Sequence, residues 1–203
     1  MARAGDAKKP LSAAYVRAFT AKSVISSVSA VYLGVYSQMG IDPAEMAWVF
    51  ACYFIFESCW DGCMDIFFPM PKWHSDPVIW VHHVLGYVTM RHLPKTQTCQ
   101  RALSLVTLGE CTTPLLYLVL WFRTVRGGEP QNFARYLLMI WPLFRGVAPL
   151  RALSLQLAND GNEPWPACGY GNLSVTIAYM VMNTFFFTKL LARYRKRAKA
   201  GIN

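Results

Sequence analysis

The chain has 203 residues, enough for one domain, and of these 54% are hydrophobic, 14% aromatic and only 15% charged. Soluble proteins carry about a quarter charged residues, and a protein this small has a large surface for its volume. A water-soluble globule is therefore excluded, and lipid is the solvent that fits.

The net charge of +9 collects at the two ends. Arg3, Lys8, Lys9, Arg17 and Lys22 lie before or at the first apolar stretch, and Lys189, Arg193, Arg195, Lys196, Arg197 and Lys199 follow the last. No aromatic-basic platform accompanies these clusters, which argues against nucleic acid as a partner. Anionic phospholipid headgroups, or an acidic partner protein, explain them more simply.

The predicted fold is all-α: a multi-pass membrane bundle of about six transmembrane helices, forming a single membrane domain over residues 1–203 with basic tails at both ends. The first twenty residues lack the order of a cleaved signal peptide. Basic, Ser/Ala-containing and nearly free of acid, they look like a mitochondrial address interrupted by Asp6 and Pro10. The first span covers residues 18–38, where Ser23, Ser26, Ser27, Ala30 and Gly34 favour close helix contact. The second covers 46–68, dense in Phe, Cys and Trp, and ends at Pro69 and Pro71 because proline cannot continue a helix without losing a hydrogen bond. The third, 78–90, is short for a hydrocarbon core of about 30 Å, which takes about 20 residues. It is expected to tilt, to lie partly in the interface or to extend into its flanks. The fourth covers 103–122 with Pro114 inside, the fifth 133–157 with Pro142, Gly146 and Pro149 interrupting it, and the sixth 173–191.

The connections, at 40–45, 69–77, 92–100, 124–132 and 158–172, are too short to separate two domains, and no internal repeat is present. An even number of spans puts both basic ends on one side, together with Lys72, Arg123, Arg126 and Arg135, and leaves Arg91, Lys95 and Arg101 on the other. The first and last loops of that other side carry acids: Asp42, Glu45, Asp160 and Glu163. Trp73, Trp80, Trp121, Trp165, Tyr170 and Tyr194 fall near span ends, as interfacial anchors do. The six cysteines (Cys52, Cys59, Cys63, Cys99, Cys111 and Cys168) show no CxxC pair and no zinc spacing. They read as small apolar packing residues, with no disulfide framework implied. Asn172-Leu173-Ser174 is a formal glycosylation sequon, placed too near the bilayer to be modified.

Ionisable groups within spans are the informative residues, because each costs several kcal/mol in lipid unless it is paired. Glu57, Asp61 and Asp65 are spaced four apart and so form one acidic ladder on a helix. His82 and His83 lie in the third span, Glu110 with Thr112 and Thr113 in the fourth, and Arg145 and Arg151 in the fifth. All are expected to point inward to a shared polar core. In a structural reading, Arg145 or a histidine neutralises the acids and fixes helix register, since an intact buried set roughly breaks even while a broken one strands a charge. In a catalytic reading, a histidine acts as general base with an acid setting its tautomer. In a third, the cluster holds a lipid headgroup. Adjacent histidines project about 100° apart on a helix, unlike the single-face pairing of HExxH, so no metal and no cofactor is expected.

The stretches Tyr53-Phe54-Ile55-Phe56-Glu57-Ser58-Cys59-Trp60-Asp61, Trp80-Val81-His82-His83-Val84-Leu85-Gly86 and Leu108-Gly109-Glu110-Cys111-Thr112-Thr113-Pro114 are followed by Phe144-Arg145-Gly146-Val147-Ala148-Pro149 and Met182-Asn183-Thr184-Phe185-Phe186-Phe187. In order and spacing, over roughly residues 45–192, they resemble the TLC-domain family of six-helix membrane proteins. That family includes ceramide synthases and proteins affecting membrane lipid composition. The resemblance implies a barrel-like bundle of six helices around a lipid-accessible cavity, with His82 and His83 at the position of the paired histidines of the ceramide synthase motif. The second part of that motif, a His-Asp pair and a further Asp in the next span, is replaced here by Glu110-Cys-Thr-Thr-Pro.

The function expected on this basis is a non-catalytic, lipid-binding accessory or scaffolding subunit of a larger membrane complex, housed in the mitochondrial inner membrane or, alternatively, the endoplasmic reticulum. The enzyme alternative is acyl transfer from acyl-CoA to a sphingoid base or lysolipid, with His82 or His83 as base, Asp61 or Asp65 as orienting acid and Arg145 on a headgroup or phosphate. A regulator of membrane lipid composition without stable partners is the third class.

Overall fold

Side-chain oxygens start two of the helices. The Ser12 hydroxyl accepts from the Tyr15 N–H at 3.1 Å, and Thr96 accepts from the Cys99 N–H at 3.2 Å, each satisfying a donor that a helix N-terminus leaves open. In the computed structural model, which describes residues 11–40, 43–67, 77–92, 96–128, 131–158 and 165–199, the chain forms six continuous helical rods. These are α1 (Ala13–Met39), α2 (Pro43–Phe67), α3 (Pro77–Arg91), α4 (Gln97–Val125), α5 (Asn132–Leu157) and α6 (Gly169–Lys199). Among the described residues there is no strand. The expectations for Arg3, Lys8 and Lys9, for Lys72, Trp73 and Lys95, and for Asp42, Asp160 and Glu163 lie outside the described residues, as do those for the side chains of Asp65 and Trp80.

Four rods, α1, α4, α5 and α6, are long and apolar enough to cross a membrane. The acid-bearing α2 and the 15-residue α3 are not among them. The described residues are thus all-helical, with four helices long and apolar enough to cross a membrane.

The helices close a ring. Contacts run from α1 to α2, to α3, to α6, to α5, to α4 and back to α1. Successive helices are antiparallel, as the pairing of Lys22 with Asp61, of Ser58 with His83 and of Gln156 with Thr176 requires. The α1–α4 seam is held by polar bonds along its length: Trp121 Nε1 donates to Thr20 at 2.7 Å, Thr107 to Ser37 at 2.6 Å, and Gln38 to the Ser104 carbonyl at 2.8 Å. The small face of α1 makes this approach close. Ser23, Ser26, Ala30 and Gly34 are buried, and a Cβ on Gly34 would lie 2.5 Å from Cys111 Sγ.

Two helices change register without stopping. Proline lacks an N–H and crowds the preceding turn. Accordingly α4 passes through a 3₁₀ stretch at Leu108–Thr112 just before Pro114, and α5 widens into a π turn at Leu143–Val147 just before Pro149. The interruption expected in the fifth span is a local change of pitch, not a break.

Three expectations are corrected. Cys99 and Cys168 form a disulfide across 69 positions, a pairing set by tertiary structure that cysteine spacing cannot reveal. Cys52, Cys59 and Cys63 are exposed on the outside of α2, so they are not packing residues. Arg151 is also exposed, with its guanidinium on Ser154 at 3.3 Å. It lies within two turns of the end of α5, where a long side chain can carry its charge toward the interface.

Candidate functional site

The buried ionisable groups divide into two clusters. In the first, the Lys22 ammonium of α1 sits between two carboxylates of α2. It binds Asp61 Oδ1 directly and lies 3.5 Å from Glu57 Oε2. The Tyr117 hydroxyl of α4 donates to the same Glu57 oxygen at 2.7 Å. All three charged side chains are buried. Two steps of the acidic ladder therefore face inward as expected, but their partner is neither Arg145 nor a histidine. In the sequence Lys22 stands with the N-terminal cations. Its place on the buried stripe Tyr15, Phe19, Lys22, Ser26, Ala30 and Leu33, which follows helical periodicity, was the signal for its inward direction.

The second cluster forms where the two register changes meet. The 3₁₀ stretch of α4 presents the Gly109 carbonyl and the Thr112 hydroxyl, and Arg145 Nε of the π turn donates to them at 3.1 and 2.7 Å. Its Nη1 donates to Asn183 Oδ1 of α6 at 3.1 Å and its Nη2 to the Thr113 hydroxyl at 3.1 Å. Nη2 also lies 3.8 Å from Glu110 Oε2, to which Thr113 donates at 3.0 Å. The guanidinium further covers the Trp141 ring at 4.8 Å. Arg145 is thus spent on three helices of its own chain. That geometry is what a structural charge needs, since burial without such partners costs far more than a pair regains. Gly109 is required at this crossing because an added Cβ would meet the Tyr179 hydroxyl and come within 3.3 Å of Arg145 Cγ.

His82 of α3 completes this cluster from the other side, with Nε2 at 3.7 Å from Glu110 Oε1. His83 turns elsewhere, as the angular offset of neighbouring helical residues predicts. It is buried, stacks on the Phe54 ring at a centroid distance of 5.1 Å, and has Nδ1 3.4 Å from the Ser58 hydroxyl. The structure therefore brings His82, Glu110 and Arg145 together, and separately Glu57 and Asp61. Of the acids expected beside a histidine, Asp61 binds Lys22 instead and the side chain of Asp65 lies outside the described residues; the acid beside His82 is Glu110.

A small cavity, with about 60 Å³ open to the centre of a water molecule, adjoins the second cluster inside the ring. Its walls are mostly apolar, including Phe50, Leu85, Val106 and Val175, while His82, Glu110 and Tyr179 lie on its lining. Two buried polar atoms of that lining, Gln156 Oε1 and the Tyr179 hydroxyl, have no hydrogen-bond partner among the described residues. Buried polar atoms are nearly always paired. Such a chamber, apolar with a few unsatisfied polar atoms at one wall, has the character of a small-molecule site. The sequence pointed to the histidines and acids but not to Gln156 or Tyr179, whose role depends on how α5 and α6 cross. Among the described residues no three His, Cys, Asp or Glu side chains converge as a metal site would need. The formal sequon is inaccessible, since Asn172 is buried and donates to the Cys168 carbonyl at 2.7 Å. No protein-family model, curated protein or solved structure matches the chain.

Proposed function

We propose that the protein is a six-span, TLC-like membrane protein that holds a lipid in this chamber and serves, without catalysing a reaction, as an accessory subunit of a larger membrane complex. The observation that carries the reading is the pair of unpartnered polar atoms, Gln156 Oε1 and the Tyr179 hydroxyl, on residues of a mostly apolar lining. Acyl or isoprenoid chain would fill the apolar part, and a polar head would satisfy the two atoms. The neutral amide and phenol, and the engagement of Arg145 with its own chain, favour a head with hydroxyl, amide or amine groups at this wall. The basic end of α6, with Lys196, Arg197 and Lys199 in its last turn, suits anionic phospholipid at the membrane surface. The mitochondrial inner membrane is the home we propose, with the endoplasmic reticulum as the alternative.

One observation favours an enzyme as second reading: the His82–Glu110 pair on the chamber lining has the parts of a base and its orienting acid. A single set of measurements separates the readings. Protein extracted in gentle detergent is sized, its co-migrating chains are identified and its bound lipid is read by native mass spectrometry, for wild type, Val175→Trp and His82→Ala. The subunit reading expects a particle larger than one 23.0 kDa chain plus micelle, and a retained lipid that Val175→Trp expels. A lone chain without lipid ends it. Acyl transfer by wild type that His82→Ala abolishes, with assembly intact, would establish the enzyme instead.

A further inference from the structure

The chamber sits at one end of the ring. Its lining comes from the first halves of α2, α4 and α6 (Phe50 and Phe54, Leu103 to Glu110, Asn172 to Met182), from Gln156 in the last turn of α5 and from His82, Leu85 and Gly86 in the middle of α3. The disulfide lies at that same end. Cys99 is in the first turn of α4, Cys168 immediately precedes α6, and both are buried, with Cys99 Sγ 3.4 Å from the Ala167 carbonyl. The helices it joins form two walls of the chamber; α4 packs on α1 and α5, α6 packs mainly on α5, and Tyr179 of α6 reaches Gly109 of α4. The disulfide is their covalent tie.

A second and independent feature marks the opposite end. Arg17, Arg123, Arg126, Arg135, Arg193, Arg195, Lys196, Arg197 and Lys199 all fall at the starts of α1 and α5 or at the ends of α4 and α6, whereas among the described residues the disulfide end has Arg91, Arg101 and Arg151. Cationic ends stay on the cytoplasmic or matrix-like side of a membrane, where thiols are kept reduced, and structural disulfides persist on the oxidising side. The disulfide and the charge asymmetry involve different residues and point the same way.

We infer that the disulfide end of the ring faces an oxidising compartment and the basic helix ends a reducing one, so that the chamber exchanges its lipid with the leaflet on the oxidising side, its α4 and α6 walls tied by Cys99–Cys168. The access side rests on the lipid-chamber reading above; the orientation does not. Forming the tie removes two protons and two electrons from the Cys99 and Cys168 thiols. A disulfide-bearing oxidant of that compartment takes them up, its own S–S bond breaking by exchange as the new one forms.

The test uses the full chain in native membranes and then in proteoliposomes. Denatured membranes are treated with a maleimide polymer before and after reduction. Two more adducts are expected after reduction in wild type, and no increase in the Cys99→Ser, Cys168→Ser double variant; equal adduct numbers in wild type would overturn the orientation. Single cysteines at exposed positions, Arg101→Cys and Lys199→Cys, are placed in a chain whose Cys52, Cys59, Cys63 and Cys111 are serine. In sealed vesicles a charged maleimide should reach them from opposite faces, Arg101→Cys from the oxidising one, and any other result sinks the proposal. Finally, a diazirine-bearing phosphatidylcholine is confined to one leaflet of oriented proteoliposomes. Cross-links to the Val175–Met182 wall should be several-fold stronger from the disulfide-side leaflet. Stronger labelling from the other leaflet overturns the access side. Labelling from neither removes the lipid-chamber reading and the access side with it, while the thiol and maleimide results still decide the orientation.

Discussion

At the scale of single residues, the buried charges are the part of the molecule most tightly constrained by its surroundings. Lys22 is one ammonium against two carboxylates, so its removal strands both acids away from water. Breaking a buried pair by deleting one partner costs about 3–5 kcal/mol, while replacing the whole set with apolar or neutral groups of similar size is often neutral. Lys22→Met is therefore expected to lower the melting temperature in detergent sharply, and adding Glu57→Gln and Asp61→Asn is expected to restore most of the loss. A triple variant as unstable as Lys22→Met would mean that the ammonium does not act by neutralising these acids. The acids themselves were legible in the sequence, since residues spaced four apart in an apolar helix must share a face. Their partner was not, because a lysine close to a basic N-terminus looks like an interfacial cation until the periodicity of α1 is followed through it. The same confusion ran the other way for Arg151, which is close enough to a helix end to leave the interior.

Within helices, Pro114 and Pro149 are visible in the sequence as interruptions, but their consequence is visible only in the fold. Each shifts its helix out of α register, and the two shifted segments lie against each other, so that a carbonyl and two hydroxyls of α4 meet the guanidinium of α5. Departures from α pitch often accompany functional positions, and this one reaches the chamber lining at Glu110. Gly109 lets α6 approach this segment. A methyl there would displace the Tyr179 hydroxyl or push against Arg145 Cγ; overpacking of this kind costs about 1–3 kcal/mol. Gly109→Ala is expected to lower thermal stability and to weaken lipid retention together. Gly146→Ala, in the neighbouring π turn with nothing within 4 Å of its added Cβ, is expected to change neither. Matching losses at both positions would show that helix flexibility, and not the contact with Tyr179, is what Gly109 provides.

For the whole molecule, composition alone was enough to require lipid and helices, because the charge content leaves too little polar surface for water. The closed order α1–α2–α3–α6–α5–α4 could not be read that way, since it depends on which faces match and not on how apolar they are. The Cys99–Cys168 bond belongs to this level: it closes a loop containing α4 and α5 and fixes the start of α6 beside the start of α4. In the chain-entropy account, loops of tens of residues gain about 3–5 kcal/mol from such a link. Lipid already holds the helices near one another before they pack, so the gain here should fall below that range. What the link adds is position, and its loss should be felt first at the two helix starts that it ties. Cys99→Ser, Cys168→Ser and the double variant are expected to lose the same modest amount of thermal stability, since any one of them removes the single bond. Hydrogen exchange should rise in the first turns of α4 and α6 while the Lys22 cluster at the far end stays protected. Exchange that rises equally at both ends would mean that the bond supports the ring as a whole, and the chamber mouth would then be no softer than the rest once the tie is cut.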